Sequence, residues 1–227
     1  MATIGSSGSN FSVTFANTQK IDSLASAREA LNKADAAIEK TQAESFSQIG
    51  SPSTSKLSAS ERAAQDHADV ASYFKESNRQ TSELAGKLDL GTNRNNDGVL
   101  ELNQDDLKAK MKGAKLGDDK WGKYLTTLTS SIEQYAGDKV PAAARDYNTA
   151  NLASARSLLH GFVQVSDKMT VATEGSGSAW SKLKTMGSVV LDLARLQSEG
   201  KSSLKSLGEM RHNLLTRTGV SPDELYG

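Results

Sequence analysis

The chain has 227 residues, with 27 Lys plus Arg set against 27 Asp plus Glu, and no cysteine. The even charge provides no overall field for nucleic acid or an anionic membrane, and the missing thiols exclude disulfides, zinc thiolate sites and cysteine nucleophiles. Hydrophobic residues make up only 37%, much of it alanine, and no stretch reaches the ~18 apolar residues of a membrane span, so thinly packed helices are expected rather than one thick core.

Residues 1–19 (MATIGSSGSNFSVTFANTQ) are small and polar, with only Phe11, Val13 and Phe15 in alternation, and read as a disordered arm. They lack the basic flank and apolar centre of a Sec signal peptide. From about 18 to 46, Leu24, Ala27, Leu31, Ala34 and Ile38 recur at spacings of three and four and predict a helix with a narrow seam. Leu24, Leu31 and Ile38 are its candidate interaction residues. Such a seam packs on its own bundle or docks into a protein partner.

Gly50 and Pro52 end that helix. Ser58 and Glu61 form a capping box for the next one, whose buried stripe runs through Ala63, His67, either Val70 or Ala71, and Phe74. A separate short helix is expected over about 79–89, presenting Leu84 and Leu88.

The stretch Asn93-Arg94-Asn95-Asn96-Asp97-Gly98-Val99-Leu100 resembles the start of an EF-hand loop. Side-chain oxygens at positions one, three and five (Asn93, Asn95, Asp97) would converge on a cation, Gly98 would make the sharp turn, and Leu100 would supply the apolar eighth residue. Position twelve of the 93–104 loop is Gln104 where the family has Glu, so Asp105 would have to reach in. These four residues make Ca2+ the candidate cofactor. The competing reading is an Asn-Asp-Gly turn whose side chains cap their own backbone, ahead of a helix capped by Asn103.

Gly113 and Gly117 suggest a boundary, giving a helical region over 20–113 and an antiparallel four-helix bundle over 118–227. Its first helix carries Trp121, Leu125, Leu128, Ile132 and Tyr135, and Pro141 opens the second. Trp180, Leu183, Met186, Val190, Leu193 and Leu196 make an apolar third helix that Glu199-Gly200 should break, leaving a fourth with Leu204, Leu207, Leu214 and Leu215. Trp121 and Trp180 lie in these stripes and are expected in the core. Gly219, Ser221 and Pro222 close the chain with a turn.

His67, His160 and His212 are far apart in sequence, and no serine sits in a nucleophile elbow, so no enzyme centre can be assembled from spacing. The polar N-terminus, the lack of cysteine and the alanine-rich helices together resemble substrates of bacterial type III secretion. The stretch from Leu57 to Lys110 is similar to the helical, EF-hand-like region of Hrp-type translocon and effector proteins of plant-associated bacteria. The resemblance implies a cytoplasmic chain exported without a Sec signal, a secretion chaperone bound near residues 1–60, and action by helix contacts outside the producing cell. Pore formers of that group carry long apolar segments. Here the best window, Met186 to Leu196, is interrupted by Asp192, which points to a soluble effector or accessory protein. A calcium-responsive intracellular binding module is the alternative, in which the cation would expose Leu84, Leu88 and Leu107.

Overall fold

The computed structural model describes residues 25–44, 57–112, 119–137, 139–174 and 176–226. The chain is all-α, with one small two-stranded sheet among the described residues. Helix α1 covers residues 25–44; the expected arm at 1–19 and Leu24 lie outside the described residues.

Helix α2 spans Ala59–Leu88, so the expected break before residue 79 does not occur. The capping box forms as the sequence requires: the Glu61 amide donates to Ser58 Oγ at 3.3 Å and the Ser58 amide to Glu61 Oε2 at 2.7 Å. The Ser58 hydroxyl and amide hold the Glu61 carboxyl below its ordinary range. The helix continues through Ser77-Asn78 because the buried Asn78 amide finds partners outside it, donating to the carbonyls of Gly98 and Leu225 and accepting from the Leu100 amide.

A hairpin follows, β1 (Thr92–Arg94) antiparallel to β2 (Leu100–Leu102), with Asn93 opposite Glu101. Helix α3 (Gln104–Met111) starts at Asn103, whose Oδ1 accepts from the Asp105 and Asp106 amides at 3.0 Å each. Helix α4 is Asp119–Tyr135. Pro141 leads into a 3-10 turn, Ala142–Ala144, that runs on into α5, Arg145–Glu174.

Helix α6 is a single 40-residue helix, Ala179–Thr218, where two were expected. Gly200 does not break it. A side chain there would sit 3.4 Å from Leu158 of α5, so this glycine lets two helices approach. Gly161 does the same from the α5 side, where a Cβ would fall 2.2 Å from a Leu196 methyl. Contacts that pair Gly161 with Leu196 and Leu158 with Gly200 make α5 and α6 antiparallel. Gly219, at φ +73°, then caps α6 in the left-handed conformation.

Three apolar clusters hold these elements. Ala27, Ala30 and Ala34 of α1 pack with Leu125, Leu128 and Ile132 of α4 and Leu152 and Leu159 of α5. Val70 and Phe74 of α2 join Val99, Tyr147, Leu214, Leu215, Val220 and Leu225. Val165 meets Val189 and Leu196 between α5 and α6. The boundary expected near 113–119 therefore does not separate two cores, since two of the clusters draw on residues from both sides of it. The place foreseen for a fourth C-terminal helix beside α4 and α5 is filled by α1. Its alanines allow close packing that a larger side chain at Ala27 or Ala34 would prevent.

Candidate functional site

The sequence Asn95-Asn96-Asp97-Gly98 makes the tight end of the hairpin. Asn95 Oδ1 accepts from the amides of Asp97 (3.0 Å) and Val99 (3.1 Å), and its Nδ2 donates to Glu101 at 2.7 Å. Gly98 has φ +81°, with the Pro222 backbone directly against it. The chain end, a 3-10 turn over Pro222–Leu225, is thus clasped between hairpin and α2. Arg94 Nη1 donates to the carbonyls of Gly98 (2.6 Å) and Leu225 (3.1 Å), and its guanidinium lies 4.4 Å from the Tyr226 ring centre. His67 sits between the Thr218 carbonyl (3.0 Å) and the Glu224 carboxylate (2.9 Å).

The most concentrated charge is on the other side of the hairpin. Arg211 of α6 donates from Nε to Asp97 Oδ2 at 3.0 Å and from Nη1 to Glu101 at 2.7 Å. His212 Nδ1 meets Asp97 Oδ1 at 2.8 Å. The Arg211 and Asp97 side chains are only 13% and 15% exposed. Burial works against the Asp97 charge, but the hydrogen bonds from His212 and Arg211 outweigh it and hold the carboxyl below its ordinary range. The Asp97–His212 pair has the base-and-orienter half of a hydrolytic triad. Among the described residues, however, no hydroxyl is hydrogen-bonded to His212, and Arg211 shares the same carboxylate. Neighbouring Tyr135 and Tyr147 are pushed above the usual phenol range, first by burial, and offer no base at neutral pH.

The four expected cation ligands therefore have other roles. Asn93 is exposed, and its oxygen lies 3.4 Å from Asn103 Nδ2. Asn95 caps its own turn, Asp97 is bound by a guanidinium and an imidazole, and Asp105 is exposed beside Lys108 at 3.0 Å. Among the described residues no group of three or more acidic or histidine side chains is placed to hold a metal ion. In the structure the loop caps itself, Asn95 Oδ1 accepting from the Asp97 and Val99 amides. Calorimetric titration with calcium should give no binding heat up to the millimolar range, and Asp97→Asn should lower the melting temperature by a few degrees. A calcium heat abolished by that substitution would reinstate the ion site.

The candidate interaction residues also land elsewhere. Leu31 and Ile38 are half-buried against the α1–α4–α5 cluster, so this seam is used within the chain. The uncovered apolar face belongs to α6. Trp180 is 76% exposed, Leu183 61%, Val190 65% and Leu191 72%. Trp180 is thus outside the core in which its stripe had placed it. At 100° per residue, these four fall with Gly187 and Ala194 in an arc of about 100°. Val189 and Leu196 face the opposite way into the α5–α6 core. The helix is apolar on two faces, and the sequence could have signalled this: a single stripe does not accommodate Val189, Val190 and Leu191 together. The Trp121 side chain lies outside the described residues.

A cavity of about 380 Å³ lies between α2, α3 and α4, with Leu88, Leu107, Met111 and Tyr124 among its lining residues and Lys120 and Lys123 at its rim. Its third lysine, Lys110, is already paired with Asp89 at 2.8 Å. No helix among the described residues is long and apolar enough to cross a membrane. Comparison with protein-family models, curated proteins and solved structures finds no match to this chain.

Proposed function

We propose that the protein acts by binding rather than by turnover, as a helical interaction protein exported by a bacterial type III secretion system. The observation that carries the binding part is the apolar stripe on α6. Trp180, Leu183, Val190 and Leu191 stand in water along about three turns although the same helix has a separate core-facing side. A stripe of this kind lowers solubility unless something covers it, and marks a contact surface. The charged groups that converge elsewhere, Asp97, Glu101, Arg211 and His212, are bonded to one another, which is how a structural clasp uses them.

The export part rests on the resemblance to type III substrates. Deleting residues 2–20 should abolish secretion by a type III apparatus while leaving the melting of the purified protein unchanged. Undiminished export of the truncated chain would remove this route. For the binding part, a photoreactive amino acid at position 183 should give covalent adducts in cells that make the protein. Complete absence of adducts would remove the reading that α6 docks.

A further inference from the structure

Residues of the α6 stripe pair off about Gly187, leucine with leucine, tryptophan with alanine, and Val190 with Lys184 at the margin. Leu183 and Leu191 lie four residues to either side of Gly187, and Trp180 and Ala194 lie seven. We infer that the stripe is covered by a second copy of this chain, the two α6 helices crossing antiparallel about Gly187. This names the partner of the same face, and so rests on the reading that α6 docks.

Pairing on a two-fold axis through Gly187 sets Trp180 of each copy over Ala194 of the other, and Leu183 over Leu191. Large side chains then oppose small ones at the ends, and leucines oppose each other between. At the centre, glycine meets glycine and the backbones can approach closely. A parallel pair does worse. It stacks Trp180 on Trp180 while Gly187 and Ala194 meet only themselves, leaving a bulge and two gaps. Antiparallel helices also oppose their dipoles favourably.

Nothing within the chain requires glycine at 187: an added Cβ meets no atom within 4 Å. The centre of the stripe is therefore open, and another backbone can approach it closely. The charges do not oppose the pairing. Lys182 and Asp192 lie off the stripe, Asp192 being turned to Lys168 at 2.6 Å, and Lys184 is at its margin, where its stem can lie along the apolar surface. The stripe offers on the order of 500 Å² of apolar surface per copy, so a dimer buries at most roughly 1,000 Å² in total, the size of weak, transient interfaces. An association of that size is expected to be weak and reversible.

The cysteine-free chain makes the geometry readable by disulfide trapping. Under mild oxidation Gly187→Cys alone should give a covalent dimer, because position 187 meets itself on the axis. Leu183→Cys alone should stay monomeric, whereas an equal mixture of Leu183→Cys and Leu191→Cys chains should cross-link. Self-linkage of Leu183→Cys would mean a parallel pair and overturn the proposal. By sedimentation equilibrium the unaltered protein should dimerise with concentration, and Leu191→Glu should weaken the dimer at least tenfold with its dichroism spectrum unchanged. A monomer up to roughly 100 μM would overturn it. The photoreactive residue at 183 separates this inference from the broader reading. Adducts of twice the chain mass support the self-pair. Adducts of any other protein sink the self-pair and keep the docking face. Absence of adducts sinks both. Binding to phosphatidylglycerol vesicles that Leu191→Glu abolishes would assign the face to lipid and overturn the dimer.

Discussion

Gly98→Ala should cost about 3 kcal/mol of folding stability, seen as a lowered urea midpoint and a melting temperature down by roughly 6–12 °C. Two effects add. The residue's φ of +81° places it in the left-handed region, where a Cβ costs roughly 1–2 kcal/mol. The new methyl carbon would also lie 2.6 Å from the Pro222 carbonyl oxygen and 2.9 Å from its Cα. These are backbone atoms and cannot rotate away, so hairpin and chain end must part. That movement loosens the bonds from Asn78 and Arg94 to the Gly98 carbonyl, and the seating of Leu225 among Val70 and Phe74. Gly86→Ala is the control of opposite sign. It lies within α2, meets nothing within 4 Å, and should stabilise by about 0.5–1 kcal/mol. Equal melting of Gly98→Ala and the parent would show that the tail is not clasped as described.

How far the sequence anticipates this architecture depends on the range of each interaction. Short-range signals carry through: the Ser58–Glu61 box, the Asn103 cap and the terminal turn at Gly219-Ser221-Pro222 appear where the residues demand them. The alanine-and-leucine seam of α1 is also apparent, but a seam does not say whose surface it meets, and here α4 and α5 provide it. Glycines mislead for a related reason. Gly200 reads as a break, yet it and Gly161 both serve a close helix crossing that only the fold reveals. The separate helix expected from about 79 is instead continuous with α2, because Asn78 finds its three partners far along the chain, at Gly98, Leu100 and Leu225.

The loop at 93–98 shows the same limit in its chemistry. Asn, Asn and Asp at alternate positions fit a cation cage or a capped turn equally well by spacing. In the structure Arg211, more than a hundred residues downstream, donates to Asp97, a contact that spacing does not show. Trp180 is the converse case. Its stripe is real, but the core takes the other face of α6, and the stripe is left for contact outside the fold.

Arg211→Leu should lose about 2–4 kcal/mol at neutral pH, because it leaves a largely buried carboxylate with only His212 for company. The acid side of the stability curve tests the cause. In the parent protein the Asp97 carboxyl is held below its ordinary range despite burial, by the bonds from His212 and Arg211. A depressed carboxyl adds stability above its unfolded pKa, near 3.9, and that contribution disappears as pH falls through the lower folded value. The parent should therefore weaken progressively below about pH 4. Without Arg211 the burial penalty is less opposed, the carboxyl moves upward, and the variant binds its proton earlier in the folded state than the parent does. The stability gap between the two should then narrow as pH falls from 7 toward 3. Glu101, the other carboxylate on Arg211, is far more exposed and contributes less, so Glu101→Gln should cost under 1 kcal/mol. A gap that stays constant across this pH range would mean that Arg211 acts through its other contacts, Tyr147 among them, rather than through the Asp97 charge.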